Sequence, residues 1–175
     1  LFEATDIIMH GVINNPDYLL PQLAPDGNYC PESTIELSIT FNSDWNLVGL
    51  PVVIENTNHQ IIFPESLEGT LFSFNYNIGY IQESELINGT GYWLRFDISG
   101  NASVNGDELG QIIIELNQGW NLISGISSEI ALENVNDSEN LIIAGTVYSF
   151  DSGYVQADTF EPGNGYWLRS SGTGV

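Results

Sequence analysis

Residues that commonly carry out catalysis are scarce in this sequence of 175 residues. It has two histidines, His10 and His59, one cysteine, Cys30, and no lysine, because both of its basic residues are arginines. A serine nucleophile needs a histidine as its general base, and neither histidine lies in a Gly-x-Ser-x-Gly or His-Glu-x-x-His pattern. The absence of lysine excludes Schiff-base chemistry and a P-loop phosphate site. We therefore predict that the chain is not an enzyme.

One segment has the spacing of a calcium loop. Oxygen-bearing side chains stand at its positions 1, 3, 5, 9 and 12, which are Asp97, Ser99, Asn101, Asn105 and Glu108. Calcium takes about six to eight oxygen ligands from loops of this kind. The sixth position, however, holds Ala102 where glycine is expected, and the flanking sequences are typical of strands rather than helices. We favour a polar connector here, keep calcium as an alternative, and find no motif that requires a cofactor.

Two Gly-Tyr-Trp-Leu-Arg segments offer aromatic rings that could stack on sugars. The four rings belong to Tyr92, Trp93, Tyr166 and Trp167. Neighbouring residues of a strand point to opposite faces, so we expect one ring of each pair inside and the other outside. Because large aromatic side chains dominate small cores, we favour packing over sugar binding for these residues. We expect the arginine that ends each segment to pair with a carboxylate or to stack on a ring.

These segments belong to an internal repeat with an offset of about 75 residues. Trp-Asn-Leu occurs at 45–47 and again at 120–122, and Gly-Tyr-Trp-Leu-Arg occurs at 91–95 and at 165–169. Between them, Gly-Thr-Leu-Phe-Ser-Phe at 69–74 matches Gly-Thr-Val-Tyr-Ser-Phe at 145–150. All four tryptophans and both arginines therefore occupy equivalent positions, which indicates a duplication.

The hydrophobic pattern of each copy predicts β-structure. Residues 34–41 alternate apolar and polar side chains, and 112–116 fill the matching place in the second copy, so we predict a strand in each. Short aromatic strands followed by Asn, Asp and Gly turns predict hairpins, and only 130–135 hint at a helix. We predict an all-β fold in which two tandem modules, 34–100 and 101–175, form a sandwich or barrel-like unit behind an extended N-terminal segment, 1–33.

The N-terminal segment begins with an apolar stretch, whose strand-forming residues are Phe2, Ile7, Ile8, Met9, Val12 and Ile13. Prolines at 16, 21, 25 and 31 follow and favour an extended connector. The apolar stretch has three interpretations: it packs on its own domain, it is the remnant of a preceding domain, or it adds to the sheet edge of a neighbour. The third interpretation predicts self-association into an open filament.

The charge balance excludes several kinds of partner. The formal net charge is −21, from 23 acidic and 2 basic residues. Binding to nucleic acid needs clustered lysine and arginine, and so does electrostatic docking to an anionic membrane. No apolar run reaches the ~20 residues of a membrane-spanning helix, so we predict no membrane insertion. The chain starts with Leu1 and lacks the basic head of a signal peptide, as expected of a mature product or a fragment.

The repeat resembles a module common in secreted and surface proteins of bacteria and archaea. The resemblance rests on Gly-Trp-Asn-Leu-Ile-Ser at 119–124 and Pro-Gly-Asn-Gly-Tyr-Trp at 162–167, and covers residues 34 to about 170. The first copy departs from it at 43–44 and 88–90. Such modules often lie near the C-termini of long cell-surface proteins, including those exported by the gliding-type secretion route. The resemblance implies an extracellular, non-catalytic building block that contacts neighbouring modules; the alternative is an adhesive module that binds polysaccharide.

Overall fold

Antiparallel strands make up nearly all the regular structure. The computed structural model describes residues 34–175, and the segment 1–33, which contains the predicted assembly residues, lies outside the described residues. The strands are β1 (Thr34–Phe41), β2 (Asp44–Val48), β3 (Val52–Val53), β4 (Leu71–Asn75), β5 (Gly79–Glu83), β6 (Tyr92–Phe96), β7 (Gly100–Glu108), β8 (Gly119–Ser124), β9 (Ile130–Ala131), β10 (Tyr148–Phe150), β11 (Tyr154–Gln156), β12 (Thr159–Phe160) and β13 (Gly165–Ser170). One helical turn, α1 (His59–Ile62), and one 3₁₀ turn (Leu132–Asn134) accompany them. The all-β prediction is confirmed.

Two four-stranded sheets have corresponding strand orders. The first sheet has the order β2-β6-β4-β5, and the second has β8-β13-β10-β11. Each strand of the first sheet matches, through the sequence repeat, the strand at the same place in the second. The register corresponds as well, because Trp45 lies opposite Arg95 in one sheet and Trp120 lies opposite Arg169 in the other.

A buried asparagine explains why Trp-Asn-Leu recurs. The side chain of Asn46 accepts the backbone N–H of Asn42 at 2.9 Å and donates to its carbonyl at 2.8 Å. Asn121 makes the same two bonds with Asn117, at 2.9 and 2.8 Å. An asparagine side chain presents both an acceptor and a donor, so it closes the turn before each strand without leaving a buried polar group unpaired.

A third sheet belongs to the first half of the chain. It has the order β1-β7-β3, and β1 pairs with β7 along all of its residues. Strand β7 begins at Gly100, so the boundary expected between residues 100 and 101 falls at the start of a strand that pairs with the first module. We therefore use first half for residues 34–108 and second half for 109–175.

Two local predictions in the second half are wrong or incomplete. Residues 112–116, predicted as a strand, contain no strand; Leu116 alone forms a bridge, with Gly174. Among the described residues no other backbone pairs along this stretch, although the burial of its side chains alternates from one residue to the next. The helix hinted at 130–135 is the short strand β9, paired with β12, followed by the 3₁₀ turn.

Buried side chains form three clusters. The first joins the three-stranded and four-stranded sheets of the first half, and the second lies within the second half. The third connects the two four-stranded sheets around Leu47, Leu122 and Trp167, with Phe74, Trp93, Tyr148 and Phe150 packed against them. The described residues, 34–175, accordingly form one unit rather than two separate ones.

Candidate functional site

The tyrosines of the Gly-Tyr-Trp segments are core residues. Tyr92 and Tyr166 are 1% and 2% exposed. Their hydroxyl oxygens accept the backbone N–H groups of Ile87 at 3.0 Å and Glu161 at 2.7 Å. Burial raises the pKa of both phenols, because it disfavours the charged form. These two rings present no face to a ligand, so their assignment to an exposed sugar-stacking surface is corrected.

The tryptophans of the same segments fasten the two sheets together. Trp93 packs edge-on against Phe150, and Trp167 packs edge-on against Phe74, with 4.8 Å between ring centroids in both pairs. Trp93 is partly buried and Trp167 is 7% exposed. The expectation of one inner and one outer ring in each pair is therefore wrong for Tyr166 and Trp167, because the second ring is covered by the opposite half.

The exposed aromatic rings are others, which the sequence did not single out. Trp45 and Trp120 are 37% and 41% exposed, and Tyr80 and Tyr154 are 55% and 59% exposed. Trp45 and Trp120 lie opposite Arg95 and Arg169 on the neighbouring strands, and this pairing indicates that the two tryptophans are exposed. A residue opposite an exposed arginine lies on the same face of the sheet.

A groove on this surface is lined by five aromatic side chains. It measures ≈ 500 Å³ and is bounded by Phe74, Trp120, Tyr148, Tyr154 and Trp167. Trp120 and Trp167 stand at 88° to each other, so the walls are perpendicular rather than coplanar. Burial raises the pKa of Tyr154, and the neighbouring Tyr80 adds to the rise. The groove therefore offers ring faces and a neutral phenol at physiological pH, with no charged side chain in its lining.

A second cleft is polar. It measures ≈ 460 Å³ and is lined by residues of both halves, including Asn42, Asp151, Asp158 and Glu161. The Asn42 side-chain amide donates to the Asp151 carboxylate at 3.2 Å. Within residues 34–175, no group of three or more His, Cys, Asp or Glu side chains is placed to hold a metal ion.

The calcium-like segment does not have the geometry of a loop. Residues 100–108 are strand β7, paired in register with β1, so Asn101 and Asn105 are separated by four extended residues, about 13 Å. The Asn101 side chain instead accepts the Thr40 hydroxyl at 2.6 Å, and Asp97 and Ser99 precede the strand. The alternative in which Asp97, Ser99, Asn101, Asn105 and Glu108 converge on one ion is corrected, because a strand spreads its side chains apart. The favoured interpretation, a polar connector between the copies, is corrected as well, because residues 100–108 are a paired strand.

The histidine of the described region is buried beside a serine. His59 is 3% exposed, Ser66 is 6% exposed, and His59 Nδ1 lies 2.8 Å from Ser66 Oγ. Burial lowers the pKa of His59, and the nearby Glu68 partly opposes that shift. Both side chains are covered, and their hydrogen bond pairs two buried polar groups with each other.

The two arginines differ in their surroundings. Arg95 forms an ion pair with Asp44 at 2.9 Å, so the expected carboxylate partner is present. Trp45 lies opposite Arg95 on the neighbouring strand. Asp44 has a φ of 73°, and its counterpart in the second half is Gly119 with a φ of 98°. Because glycine takes the place of that aspartate, Arg169 has no ion pair among residues 34–175.

Comparisons with known proteins bring no relative: no family model matches the chain, and neither a curated protein nor a solved structure matches it. In the described region, no helix has the length and apolar character needed to cross a membrane.

Proposed function

We propose that the chain is a non-catalytic structural module of an extracellular, cell-surface protein. In this proposal the duplicated halves form one unit that serves as a building block of an assembly. One observation carries its structural part: the halves are joined by reciprocal contacts, in which Gly49 N–H donates to Gly163 O at 2.9 Å and Ser124 N–H donates to Gly89 O at 3.0 Å. The two hydrogen bonds are equivalent in the repeat, because each half donates one of them and accepts the other. The extracellular location rests on the resemblance of the repeat to modules of surface proteins.

Glycines allow this close approach. A Cβ at Gly165 would lie 2.8 Å from the Val48 carbonyl oxygen, and one at Gly91 would meet the Ile123 carbonyl oxygen. Gly91 and Gly165 are equivalent in the repeat, as are Ile123 and Val48. The glycine of each Gly-Tyr-Trp segment thus lets the two halves pack closely together. This role supports a structural function over a catalytic one.

Calorimetry tests the single-unit part of this proposal. If the halves form one cooperative unit, the calorimetric and van't Hoff enthalpies of unfolding agree in the full chain. Two independent transitions would contradict it. A surface location is tested separately, by antibody labelling of intact cells of the source organism. Labelling that appears only after lysis would contradict the extracellular part.

The proposed assembly follows from the sequence segment 1–33. In it, the apolar residues 2–13 add as a strand to a neighbouring subunit, while the acidic surfaces repel each other. With −21 charges per chain, salt or divalent cations should favour association, because screening shortens the range of repulsion to about 10 Å at 0.1 M.

The aromatic groove supports a second candidate, a carbohydrate-binding or adhesive role. Its exposed rings, Trp120 and Tyr154, suit stacking against the apolar face of a sugar, and its lining carries no charge. Titration with soluble oligosaccharides, followed by tryptophan fluorescence, tests it. Binding that Trp120→Ala abolishes and Ile98→Ala preserves would support this role, whereas binding unchanged in Trp120→Ala, or no binding to a broad panel, would overturn it.

A further inference from the structure

The rings of the aromatic groove stand at steep angles to one another rather than forming a flat platform. Trp120 lies at 88° to Trp167 and at 49° to Tyr148, with 6.2 Å between ring centroids in both pairs. Phe74, from the other half, meets Trp167 at 73°. Rings set at such angles can contact a compact group from several sides, as in the aromatic cages that hold methylated ammonium groups. The arrangement therefore suits a compact ligand better than a flat one.

The exposure of the rings at the mouth of the groove is a property of the repeat. Trp120 and Tyr154 are 41% and 59% exposed, and their equivalents in the first half, Trp45 and Tyr80, are 37% and 55% exposed. The first half also carries the three-stranded sheet β1-β7-β3, and that sheet leaves its two rings uncovered. The opening of the groove therefore belongs to the four-stranded sheet itself.

The charge of the chain favours a cation as the ligand. The formal net charge is −21, so the field around the protein attracts cations and repels anions. The face of an aromatic ring carries the negative part of the ring quadrupole and attracts a cation, most strongly in tryptophan. Five rings and no charged side chain line the groove. It can therefore attract a cation through ring faces rather than through an ion pair.

The lining favours a quaternary ammonium over a primary one. A primary ammonium has three N–H donors, which need acceptors once they leave water. The polar groups of the lining are the indole N–H groups of Trp120 and Trp167, which only donate, and the hydroxyls of Tyr148 and Tyr154. A quaternary ammonium has no N–H to satisfy, and its methyl groups pack against apolar surface.

We propose that the aromatic groove binds a small, freely diffusing quaternary ammonium cation of the choline class against the rings of Trp120, Tyr154 and Trp167. The inference goes beyond the structural role proposed above and gives the groove a ligand other than a sugar. Arg169 lies opposite Trp120 on the neighbouring strand, outside the lining, and its charge opposes such a ligand. Removing that charge should therefore not weaken binding, whereas it would weaken the binding of an anion.

Isothermal titration calorimetry of the full chain with choline chloride tests the inference. The matched ligand is the neutral alcohol in which a carbon atom replaces the choline nitrogen. We expect choline to bind about tenfold or more tightly than this alcohol, because only the charged ligand gains cation–π attraction. Equal affinities would show a merely apolar groove and would overturn the inference, and so would a failure of choline to bind.

Variants locate the site. Trp120→Leu keeps the groove apolar but removes a ring, so it should weaken choline binding about tenfold, while Trp120→Phe should keep most of it. Tyr76→Leu, which replaces an exposed ring outside the lining, should change nothing. If Trp120→Leu does not fold, Tyr154→Leu takes its place. Undiminished binding in the leucine variant of the groove, or weaker binding in Arg169→Gln, overturns the inference.

Two further titrations distinguish the cation from other ligands of the same groove. Binding of neutral oligosaccharides without binding of choline would favour the carbohydrate-binding candidate and overturn this inference. Binding to vesicles of phosphatidylcholine without binding of free choline would assign the groove to a lipid surface and overturn it as well. Neither result alters the single unfolding transition expected of the structural unit, so the failure of this inference and the failure of the proposed function are distinguishable.

Discussion

The ring of Phe74 meets the indole of Trp167 edge-on, with 4.8 Å between their centroids and 73° between their planes. Phe150 and Trp93, their counterparts, repeat the contact at 4.8 Å and 78°. Each pair consists of one ring from the first half and one from the second, so both halves contribute to the aromatic cluster. The core that holds the halves together exists only when both are folded, which is why we treat residues 34–175 as one structural unit.

Removing one ring of this aromatic cluster should destabilise the whole unit. We expect Phe74→Ala to lower the free energy of unfolding by about 2–4 kcal/mol, because a large side chain in a packed cluster is lost. Tyr76→Ala is the control: that ring is 53% exposed, and its loss should cost about 0.5 kcal/mol or less. Urea unfolding measures both, and equal losses would contradict the central role of the cluster.

The buried tyrosine hydroxyls should each contribute a measurable hydrogen bond. Tyr166→Phe removes the acceptor of the Glu161 N–H and should cost about 1–2 kcal/mol, since a partly buried donor loses its partner. Tyr76→Phe, at an exposed position, should change stability little. A Tyr166→Phe variant as stable as the wild type would show that water replaces the hydroxyl.

Backbone conformation at Gly119 should matter more than space around it. Its φ is 98°, and an added Cβ would meet nothing within 4 Å, so Gly119→Ala isolates the cost of the left-handed conformation. We expect a loss of about 1–2 kcal/mol. At Gly110 an added Cβ also meets nothing, and its φ lies outside that region. Gly110→Ala should therefore be neutral or slightly stabilising, and the reverse ranking would refute the assignment.

Stability should depend on pH through His59. Burial lowers its folded pKa below the ordinary value of 6.5, so between these two values the unfolded chain binds more protons than the folded chain. Stability therefore falls as pH drops below about 6.5, until the folded pKa is passed. His59→Gln should flatten this dependence in urea titrations between pH 5 and 7, an interval chosen to lie about the ordinary histidine pKa. An unchanged slope would place the pH dependence elsewhere.

Sequence reasoning predicted the elements whose cause is local and missed those that depend on the other half. The alternation in Thr34–Phe41 and the turns of the hairpins were sufficient to predict β1 and the pairs β4–β5 and β10–β11. Burial of Trp167 escaped prediction because its cover, Phe74, belongs to the other copy. Residues 112–116 have a strand-like sequence, but a strand also needs a partner strand, and the local sequence does not show whether one is present. The strand β7 escaped prediction because it pairs with β1 and β3, which lie about 50 or more residues earlier in the chain.

The most direct test of the central claim is hydrogen exchange, followed by peptide mass spectrometry, in the wild type and in Gly91→Ala. The added methyl group would meet the Ile123 carbonyl oxygen across the seam between the halves. If the halves form one unit, exchange protection of peptides from β4 and from β10 should fall together, by the same free energy. Gly153→Ala, where nothing lies within 4 Å of the added atom, should leave both unchanged. Loss of protection confined to the first half, with β10 and β13 as protected as in the wild type, would show that the halves fold independently.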